Sequence, residues 1–216
     1  KLPCRSCRAR ACGWMWKSEM DLFDDTTLPL ADADLQYLAA WQPAAVADQW
    51  LQSLLADTPW EQPSVRLHGR EYPVPRRVAW YGDAQASYSY SGLLHQPLPW
   101  TPLLASIRRQ LEAQLAAPLN AVLLNLYRDG QDSMGWHSDD EAALGRDPLI
   151  ASLSLGGQRR FDLRRKGQGR IAHSLVLEHG SLLVMRGSTQ HYWQHQVAKT
   201  RRPCEPRVNL TFRWIP

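Results

Sequence analysis

The chain has 216 residues, 44% of them hydrophobic and 21% charged, with a formal net charge of +4 at pH 7. This length fits one domain with a sizeable core, and the composition excludes a disordered chain. No apolar run approaches the roughly 20 residues of a membrane-spanning helix, and no apolar segment follows the basic N-terminus as in a secretory signal, so we expect a cytoplasmic protein. We also expect a monomer.

Residues 1–19 differ in composition from the rest of the chain. They are basic and hold three of the four cysteines, and Met20 begins a segment that resembles a natural start. Cys4 and Cys7 form one C-x-x-C pair, but a structural zinc site usually needs two such pairs, so we expect reduced thiols. We therefore predict a poorly ordered leader over residues 1–19 and a single domain over residues 20–216.

The first half of the chain mixes helical and strand patterns. Apolar residues recur at helical spacing over residues 43–57, and Thr101-Pro102 is a favourable start for a second helix that Pro118 ends. Between these helices, residues 64–68, 77–81 and 87–90 form short β-type runs, with a predicted turn at residues 67–70.

From Asn120 onward the pattern is that of strands. The runs are short, rich in branched and aromatic residues, and separated by glycine. They cover residues 121–127, 149–155, 160–164, 174–177, 181–185, 191–195 and 208–214. Helices followed by such strands predict an α+β fold, with a jelly roll (a double-stranded β-helix) and the N-terminal helices packed on its outside.

Trp136-His137-Ser138-Asp139 places a histidine and a carboxylate two residues apart. In a strand, both side chains would project from one face and could hold one metal ion. A distant histidine would complete a two-histidine, one-carboxylate set, which leaves coordination positions open and is associated with non-haem Fe(II) oxygenases. His191 and His195 share a face of the predicted strand over residues 191–195, so geometry alone allows either to be the third ligand.

Polar and apolar residues alternate in the last predicted strand. The polar ones are Arg207, Asn209, Thr211 and Arg213. Two arginines facing a cavity are costly unless anions neutralise them, and a dicarboxylate would satisfy both through bidentate hydrogen bonds. An exposed edge strand would also explain the arginines, but not Asn209 between them. Asn125 and Tyr127, on one face of an earlier strand, could add polar contacts to that ligand.

Four segments, in this order and spacing, resemble the AlkB family of Fe(II)/2-oxoglutarate dioxygenases, most closely its nucleic-acid demethylases. They are Asn125-Leu126-Tyr127, the run from Trp136 to Glu141, Thr189-Gln190-x-x-Trp193-Gln194-His195, and Arg207-Val208-Asn209-Leu210-Thr211-Phe212-Arg213. The resemblance extends from about residue 63 to the C-terminus, and implies that residues 20–216 form one catalytic dioxygenase domain.

The resemblance implies a role for each residue of the two polar sets. His137, Asp139 and His195 would ligate Fe(II) and form the catalytic centre, which favours His195 over His191. Arg207, Tyr127 and Asn209 would hold the distal carboxylate of 2-oxoglutarate. Arg213 and Asn125 would hold the end that chelates iron.

The resemblance also implies a reaction. With Fe(II), O2 and 2-oxoglutarate, the enzyme would hydroxylate the N-alkyl group of a base such as 1-methyladenine or 3-methylcytosine in DNA. The hydroxylated alkyl group would leave as an aldehyde, and the cosubstrate would become succinate and CO2. This reaction is direct-reversal repair of alkylation damage.

A base within a duplex must be flipped out, or start single-stranded, to reach an internal iron site. Tyr88 and Tyr90 lie in a segment that resembles the family's substrate lid, so we interpret Tyr90 as a stacking partner opposite His137, with Tyr88 beside it. Two core tyrosines in an ordinary strand are the alternative. Asp140 and Glu141 are expected to favour cationic methylated bases, and Glu141 shares strand parity with His137.

Other predicted substrate contacts concern the nucleic-acid strand. Arg76, Arg77 and residues 164–166 are candidates for phosphate contacts, although a solvated basic surface would look the same in sequence. His68 lies at a hairpin tip where duplex-preferring relatives carry an apolar wedge. Because wedges are normally Phe, Leu, Ile or Met, this histidine favours single-stranded DNA.

Three alternatives stay open at this point. The first is an RNA or tRNA demethylase, or another hydroxylase of the same family. The second is a non-enzymatic, cupin-like protein that binds metal or nucleic acid. The third, demethylation of proteins or lipids, conflicts with the clustered basic residues.

Overall fold

In a computed structural model of the chain, the structure describes residues 27–67, 69–86, 88–90 and 93–216. The predicted leader, with Cys4 and Cys7, lies outside the described residues, as does His68. Tyr88 and Tyr90 are described only as backbone. Cys204 is a free thiol. Within the described ranges, every helix is too short or too polar to cross a bilayer.

The chain forms fourteen described strands, three described α-helices and a short 3₁₀ turn. In order they are β1 (Asp34–Leu38), α1 (Ala44–Asp57), β2 (Ser64–Leu67), β3 (Arg70–Pro73), β4 (Arg77–Gly82), β5 (Tyr88–Tyr90), β6 (Leu93–His95), α2 (Pro102–Leu115), β7 (Ala121–Tyr127), β8 (Met134–His137), the 3₁₀ turn (Ala142–Leu144), β9 (Ile150–Gly156), β10 (Arg159–Arg165), β11 (His173–Leu177), β12 (Ser181–Arg186), α3 (Thr189–Tyr192), β13 (Trp193–Val197) and β14 (Arg207–Arg213).

Two antiparallel sheets enclose an internal cavity. The larger sheet has the strand order β1-β12-β9-β14-β7-β4, and the smaller one has the order β11-β10-β13-β8. Side chains from both sheets line the cavity, and a cluster of buried apolar residues that includes Ile150 and Leu163 lies between the sheets. This arrangement confirms the predicted jelly roll. Two small hairpins, β2-β3 and β5-β6, lie outside it.

Helices α1 and α2 pack against the outer face of the larger sheet. The hydroxyl of Thr101 caps α2 by accepting a hydrogen bond from the Leu104 amide at 3.2 Å, and Pro102 occupies the first turn. The apolar stripe of α2 joins residues such as Phe212 in one buried cluster. The predicted helix is confirmed, but it ends at Leu115 because Ala116 adopts a left-handed conformation.

Strand β14 lies in the middle of the larger sheet, paired with β7 on one side and β9 on the other. All seven of its residues are buried. Its apolar residues face the helices, while its polar residues line the cavity. A central position excludes the alternative of an exposed edge strand with solvated arginines.

Three local predictions differ from the structure. Strands β1 and β6 have no counterpart among the predicted elements. Residues 189–192 form the short helix α3, so β13 begins at Trp193 and not at His191. Strand β8 ends at His137, which leaves Asp139 and Glu141 beyond the strand. The expectation that Asp139 and Glu141 share a strand face with His137 is therefore wrong.

Candidate active site

Two histidines face each other across the smaller sheet. His137 on β8 and His195 on β13 are directly paired in register, and their ring centroids are 4.2 Å apart. The ring of Phe161 lies against His195 at 5.1 Å on its other side. The Nδ1 atom of His137 lies 2.8 Å from the Gly135 carbonyl, which can only accept, so Nδ1 carries the proton and Nε2 is left to bind a metal.

Asp139 completes the group of ligands. The potential ligand atoms of His137, Asp139 and His195 all lie within 4.8 Å of one another. One carboxylate oxygen of Asp139 is 3.7 Å from Nε2 of His195, and the other is 3.5 Å from Nη2 of Arg213. The structure therefore brings together the three residues predicted as ligands, although Asp139 reaches the group from a loop.

The surroundings of this group shift the pKa values of His195 and Asp139 toward the forms that bind a cation. Burial, together with the nearby charges of His137 and Arg213, lowers the pKa of His195 to about 3 against the opposing effect of Asp139. Burial alone would raise the pKa of Asp139, but Arg213 and the two histidines outweigh it and lower the value. At neutral pH, His195 is a neutral imidazole and Asp139 is a carboxylate, which are the forms that bind metal.

His191 is not near this group. It lies in the α3 turn, is partly exposed, and its Nε2 contacts Oδ1 of Asp147 at 2.9 Å. A helical turn directs the side chain of His191 away from the strand face of His195. Among the described residues, the possible metal ligands that cluster are His137, Asp139 and His195. The suggestion that His191 could reach the metal is wrong.

The cavity beside this group has a volume of about 430 Å³ and is lined at one side by Arg207. Arg207 is 1% exposed, and its Nη2 donates to the Ser154 hydroxyl at 2.9 Å. Within the described part of the chain, its Nε and Nη1 atoms have no hydrogen-bond partner and no carboxylate forms an ion pair with it. A buried cation in this state is unfavourable unless an anion neutralises it.

Tyr127 lies close to two guanidinium groups. The Cζ atoms of Arg207 and Arg159 are 5.1 Å and 5.5 Å from its ring centre. Burial lowers the pKa of Arg207 to about 10, with Tyr127 acting against the shift and Arg159 adding to it. Arg207 is still charged at neutral pH. Arg159 itself donates hydrogen bonds to the backbone carbonyls of residues 129, 132 and 198.

The two predicted asparagines both line the cavity, each with defined partners. Asn209 donates to the Ser152 hydroxyl at 2.8 Å and accepts from the Thr211 hydroxyl at 3.1 Å. Asn125 accepts a hydrogen bond from Nε of Arg76 at 2.8 Å. Arg76, predicted to contact phosphate, therefore also lines the cavity.

The remaining predicted substrate residues are only partly described. Glu141 lines the cavity from the loop after β8. Asp140 lies at the surface and pairs with Nζ of Lys166 at 2.7 Å. The backbone of Tyr88 and Tyr90 forms β5, paired with β6. His68 and the two tyrosine side chains lie outside the described residues.

Some residues that line the cavity or contact its lining were not predicted. Ser152 and Ser154 contact Asn209 and Arg207 from β9, and Arg159 contacts Tyr127 from β10. The two serines alternate with apolar residues in Ala151-Ser152-Leu153-Ser154-Leu155, so the period-two pattern that revealed β14 could have identified them. Arg159 had no comparable signal, because it lies in a run of basic residues.

The model of the "2OG-Fe(II) oxygenase superfamily" matches residues 34–213. The chain belongs to this superfamily. The curated proteins to which the chain is similar carry AlkB names, which confirms the resemblance found in the sequence. "Alpha-ketoglutarate-dependent dioxygenase alkB homolog 3" from Homo sapiens is 43% identical over 178 residues, covering 78% of this chain and 62% of that protein. The chain therefore spans about three fifths of this relative.

Three further matches agree with membership of this oxygenase superfamily. "DNA oxidative demethylase ALKBH2" from Homo sapiens is 41% identical over 158 residues, covering 70% of this chain and 60% of that protein. The Arabidopsis thaliana protein of the same name is 32% identical over 209 residues, covering 85% and 67%. The solved structure of OsALKBH1 matches with a TM-score of 0.58 at 18% identity, covering 83% of this chain and 97% of that one, which supports the oxygenase fold.

Proposed function

We propose that the chain is an oxidative demethylase of N-alkylated DNA bases that uses Fe(II), O2 and 2-oxoglutarate. The observation that carries this proposal is one cavity that holds a cluster of three potential metal ligands and a buried arginine, Arg207, whose Nε and Nη1 atoms have no hydrogen-bond partner among the described residues. The superfamily requires the metal and the cosubstrate, and the ALKBH2 relatives are named as DNA oxidative demethylases.

The ligand set fits Fe(II). Two neutral imidazoles and one carboxylate on one side of a cavity leave the opposite coordination positions open for other molecules. His137, Asp139 and His195 would hold the ion. Arg213, 3.5 Å from Asp139, supplies a positive charge beside the metal position and keeps the carboxylate ionised.

The polar wall of the cavity fits 2-oxoglutarate. The unpartnered Nε and Nη1 atoms of Arg207 would receive its distal carboxylate, together with Tyr127 and Asn209. Arg213, whose Nε also has no partner among the described residues, would hold the end near the metal with Asn125. A diacid bound in this way neutralises both arginines, which explains why the fold tolerates them in its interior.

Bound iron and 2-oxoglutarate supply the chemistry that uses O2 to hydroxylate an N-alkyl carbon, and the protein supplies position and environment. Apolar side chains in the cavity lining, such as Leu123, Phe161 and Val197, limit the access of water. Glu141 lines the same cavity and would place a carboxylate near a cationic base such as 3-methylcytosine.

Residues 138–141, the loop after β8 that carries Asp139, are called the metal loop. The outer surface near this loop supports a nucleic-acid substrate. Arg164 lies over the ring of Trp136, with its Cζ atom 4.2 Å from the ring centre, and Arg165 lies over Tyr192 at 5.3 Å. Paired cationic and aromatic side chains suit both the phosphates and the bases of a flexible strand. We propose single-stranded DNA as the preferred substrate, with Tyr88 and Tyr90 as stacking partners and Arg76, His68 and Asp140 as further contacts.

The test is formaldehyde release from oligomers that carry 1-methyladenine or 3-methylcytosine. Single-stranded DNA, duplex DNA and RNA of one sequence are compared with Fe(II) and 2-oxoglutarate present. We expect most release from single-stranded DNA; a preference for RNA would replace this substrate assignment with the RNA alternative. Binding without formaldehyde or succinate formation on any oligomer would overturn the enzymatic proposal in favour of a non-enzymatic binder.

Two expectations about the whole protein accompany this proposal. We propose that it acts as a monomer and in the cytoplasm. Size-exclusion chromatography with light scattering tests the first, where a mass of twice 24.6 kDa would contradict it. Cell fractionation tests the second, and enrichment in another compartment would contradict it.

A further inference from the structure

The three metal-binding side chains are held in place in different ways. His137 and His195 sit opposite each other on paired strands, so the ladder of β8 and β13 fixes both backbones. Asp139 lies two residues beyond the end of β8, and no strand pairing includes it. The position of the carboxylate must therefore depend on contacts made by side chains.

Gln190 makes the contact that fixes the backbone of Asp139. Its Oε1 atom accepts a hydrogen bond from the Asp139 amide at 2.9 Å, across 51 residues of sequence. Its Nε2 atom lies 3.5 Å from the sulfur of Met185. Because a backbone N–H can only donate, the oxygen of the Gln190 amide must face Asp139, which defines the orientation of the side chain. Gln190 is fully buried.

The segment that carries Gln190 is itself firmly attached. The neighbouring Thr189 hydroxyl accepts a hydrogen bond from the Asp34 amide at 2.9 Å and lies 2.6 Å from the Arg186 carbonyl, to which it donates. These contacts join α3 to β1 and to the end of β12. The same segment leads directly into β13, which carries His195. The position of Gln190 relative to His195 is therefore closely fixed.

A second contact joins the two segments. The hydroxyl of Ser138, the residue between the two ligands on the metal loop, donates to the Trp193 carbonyl at 2.8 Å. The loop after β8 is thus attached at two points to residues 190 and 193, just before His195. Ser138 ties the start of the loop to β13, and Gln190 holds the backbone of Asp139.

We propose that Gln190 is a positioning residue that sets the place of the Asp139 carboxylate relative to His137 and His195. It thereby controls the affinity and the coordination geometry of the metal site. The identity of the metal rests on the proposed function. The positioning of Asp139 by Gln190 would affect any divalent ion bound there. Contacts that orient a metal ligand typically change metal affinity by about 10- to 100-fold when they are removed.

The experiment measures metal binding and does not depend on turnover. Co(II), a spectroscopic substitute for Fe(II), is titrated into the metal-free protein and followed by its visible absorption. The Gln190→Met variant has a side chain of similar size, but a weakly accepting sulfur replaces the amide oxygen that faces the Asp139 N–H. We expect its Co(II) affinity to fall by about 10- to 100-fold, with an altered absorption spectrum. Gln190→Glu keeps an acceptor oxygen, and burial favours its neutral acid form, which has the shape of glutamine, so this variant should bind Co(II) close to wild type.

Gln196→Met is the matched control. Gln196 lies on β13 next to His195, but on the opposite face of the strand, where its amide donates to Asp162 at 3.1 Å. The Gln196→Met variant loses a partly buried hydrogen bond of a glutamine amide, and this bond does not involve the metal loop. The Co(II) affinity of this variant should therefore equal that of wild type. Circular dichroism of each metal-free variant checks that it is folded. If Gln190→Met does not fold, Gln190→Asn, whose amide is one methylene too short, replaces it with the same expectation.

Three results would decide against the proposal. Wild-type affinity and spectrum in the Gln190→Met variant would overturn it, as would an equal loss in Gln196→Met or a full loss in Gln190→Glu. Failure of the wild-type protein to bind Co(II) would instead count against the proposed function. The two failures are therefore distinguishable in one titration series.

Discussion

The two ends of the cavity are built in different ways. At the metal end, ligands from two strands and one loop converge through side-chain contacts such as that of Gln190 with Asp139. At the arginine end, Arg207 and Asn209 are alternate residues of one central strand, β14, and Tyr127 joins them from the neighbouring strand β7. A slip of one residue in β14 would turn both Arg207 and Asn209 to the opposite face, so the strand register determines their place in the wall.

The charges of the two ends differ as well. At the metal end, Arg213 and Asp139 lie 3.5 Å apart and offset each other's charge before any metal binds. At the arginine end, Arg207 is buried without a carboxylate partner among the described residues. The metal end is therefore preorganised for its ion, whereas the arginine end gains most of its stabilisation when a dianion binds.

The largest expected effect is at the metal end, in the Asp139→Ala variant. Removing the carboxylate leaves two neutral ligands for a divalent ion, so metal affinity and formaldehyde release should both be lost. Co(II) titration and the release assay measure the two effects. Asp140→Ala, which removes a surface carboxylate that pairs with Lys166, should keep the metal affinity of wild type. Iron-dependent turnover in Asp139→Ala would contradict the assigned ligand set.

The next effect concerns the arginine end and separates ligand binding from folding. Arg207→Met removes the buried cation, so the apparent KM for 2-oxoglutarate should rise by about 30-fold or more, equivalent to about 2 kcal/mol. The protein without cosubstrate should be no less stable, because an unpaired buried charge is unfavourable. Steady-state kinetics and thermal melting with and without 2-oxoglutarate measure both.

Arg202→Met serves as the control for Arg207→Met, since Arg202 is exposed. It should leave the KM and the stabilisation by 2-oxoglutarate unchanged. If Arg207→Met keeps the full thermal stabilisation by 2-oxoglutarate, Arg207 does not hold the distal carboxylate.

A smaller effect is expected in the loop after β7, which supports the arginine end. Burial would raise the pKa of Asp132, but its hydrogen bonds with Arg128 outweigh this effect and lower it. The Asp132 carboxylate therefore stabilises the folded protein above the unfolded-state pKa of about 3.9. This contribution is lost as the pH falls through the lower folded-state pKa. Asp132→Asn should lower the free energy of unfolding at pH 7 by about 1–3 kcal/mol.

Urea unfolding at several pH values measures the contribution of Asp132. The difference between wild type and Asp132→Asn should shrink below about pH 4, where the carboxylate takes up a proton. Asp129→Asn, at an exposed position in the same loop, should show little difference at any pH. A difference for Asp132→Asn that stays constant down to pH 2 would exclude the charge as its cause.

The smallest effect is one of selectivity at the cavity lining. Glu141→Gln keeps the shape of the side chain but removes its charge. We expect kcat/KM for single-stranded 3-methylcytosine, a cationic base, to fall by about tenfold, equivalent to 1.4 kcal/mol, while activity on the neutral 3-methylthymine is retained. Equal losses on both bases would show that Glu141 acts through shape or folding and not through charge.

The parts of the site that sequence could predict are those that depend on local pattern. The alternation in residues 207–213 identified the cavity face of β14, and the capping hydroxyl of Thr101 identified the start of α2. The predictions failed where the backbone leaves regular structure. Asp139 and Glu141 were assigned to a strand because His-x-Asp spacing cannot reveal that β8 ends at His137.

The sequence by itself determined the chemical types at the site, namely the ligand set of His137, Asp139 and His195 and the arginines of β14. His137, Asp139 and the arginines follow from short-range spacing and from the period of two in a strand. His195 was selected over His191 only by the resemblance to the AlkB family. Only the tertiary structure decided that β14 is central, that His191 is turned away in α3, and that Gln190 meets Asp139. Such contacts join segments many residues apart, and their partners are selected by the packing of two sheets, which no local pattern records.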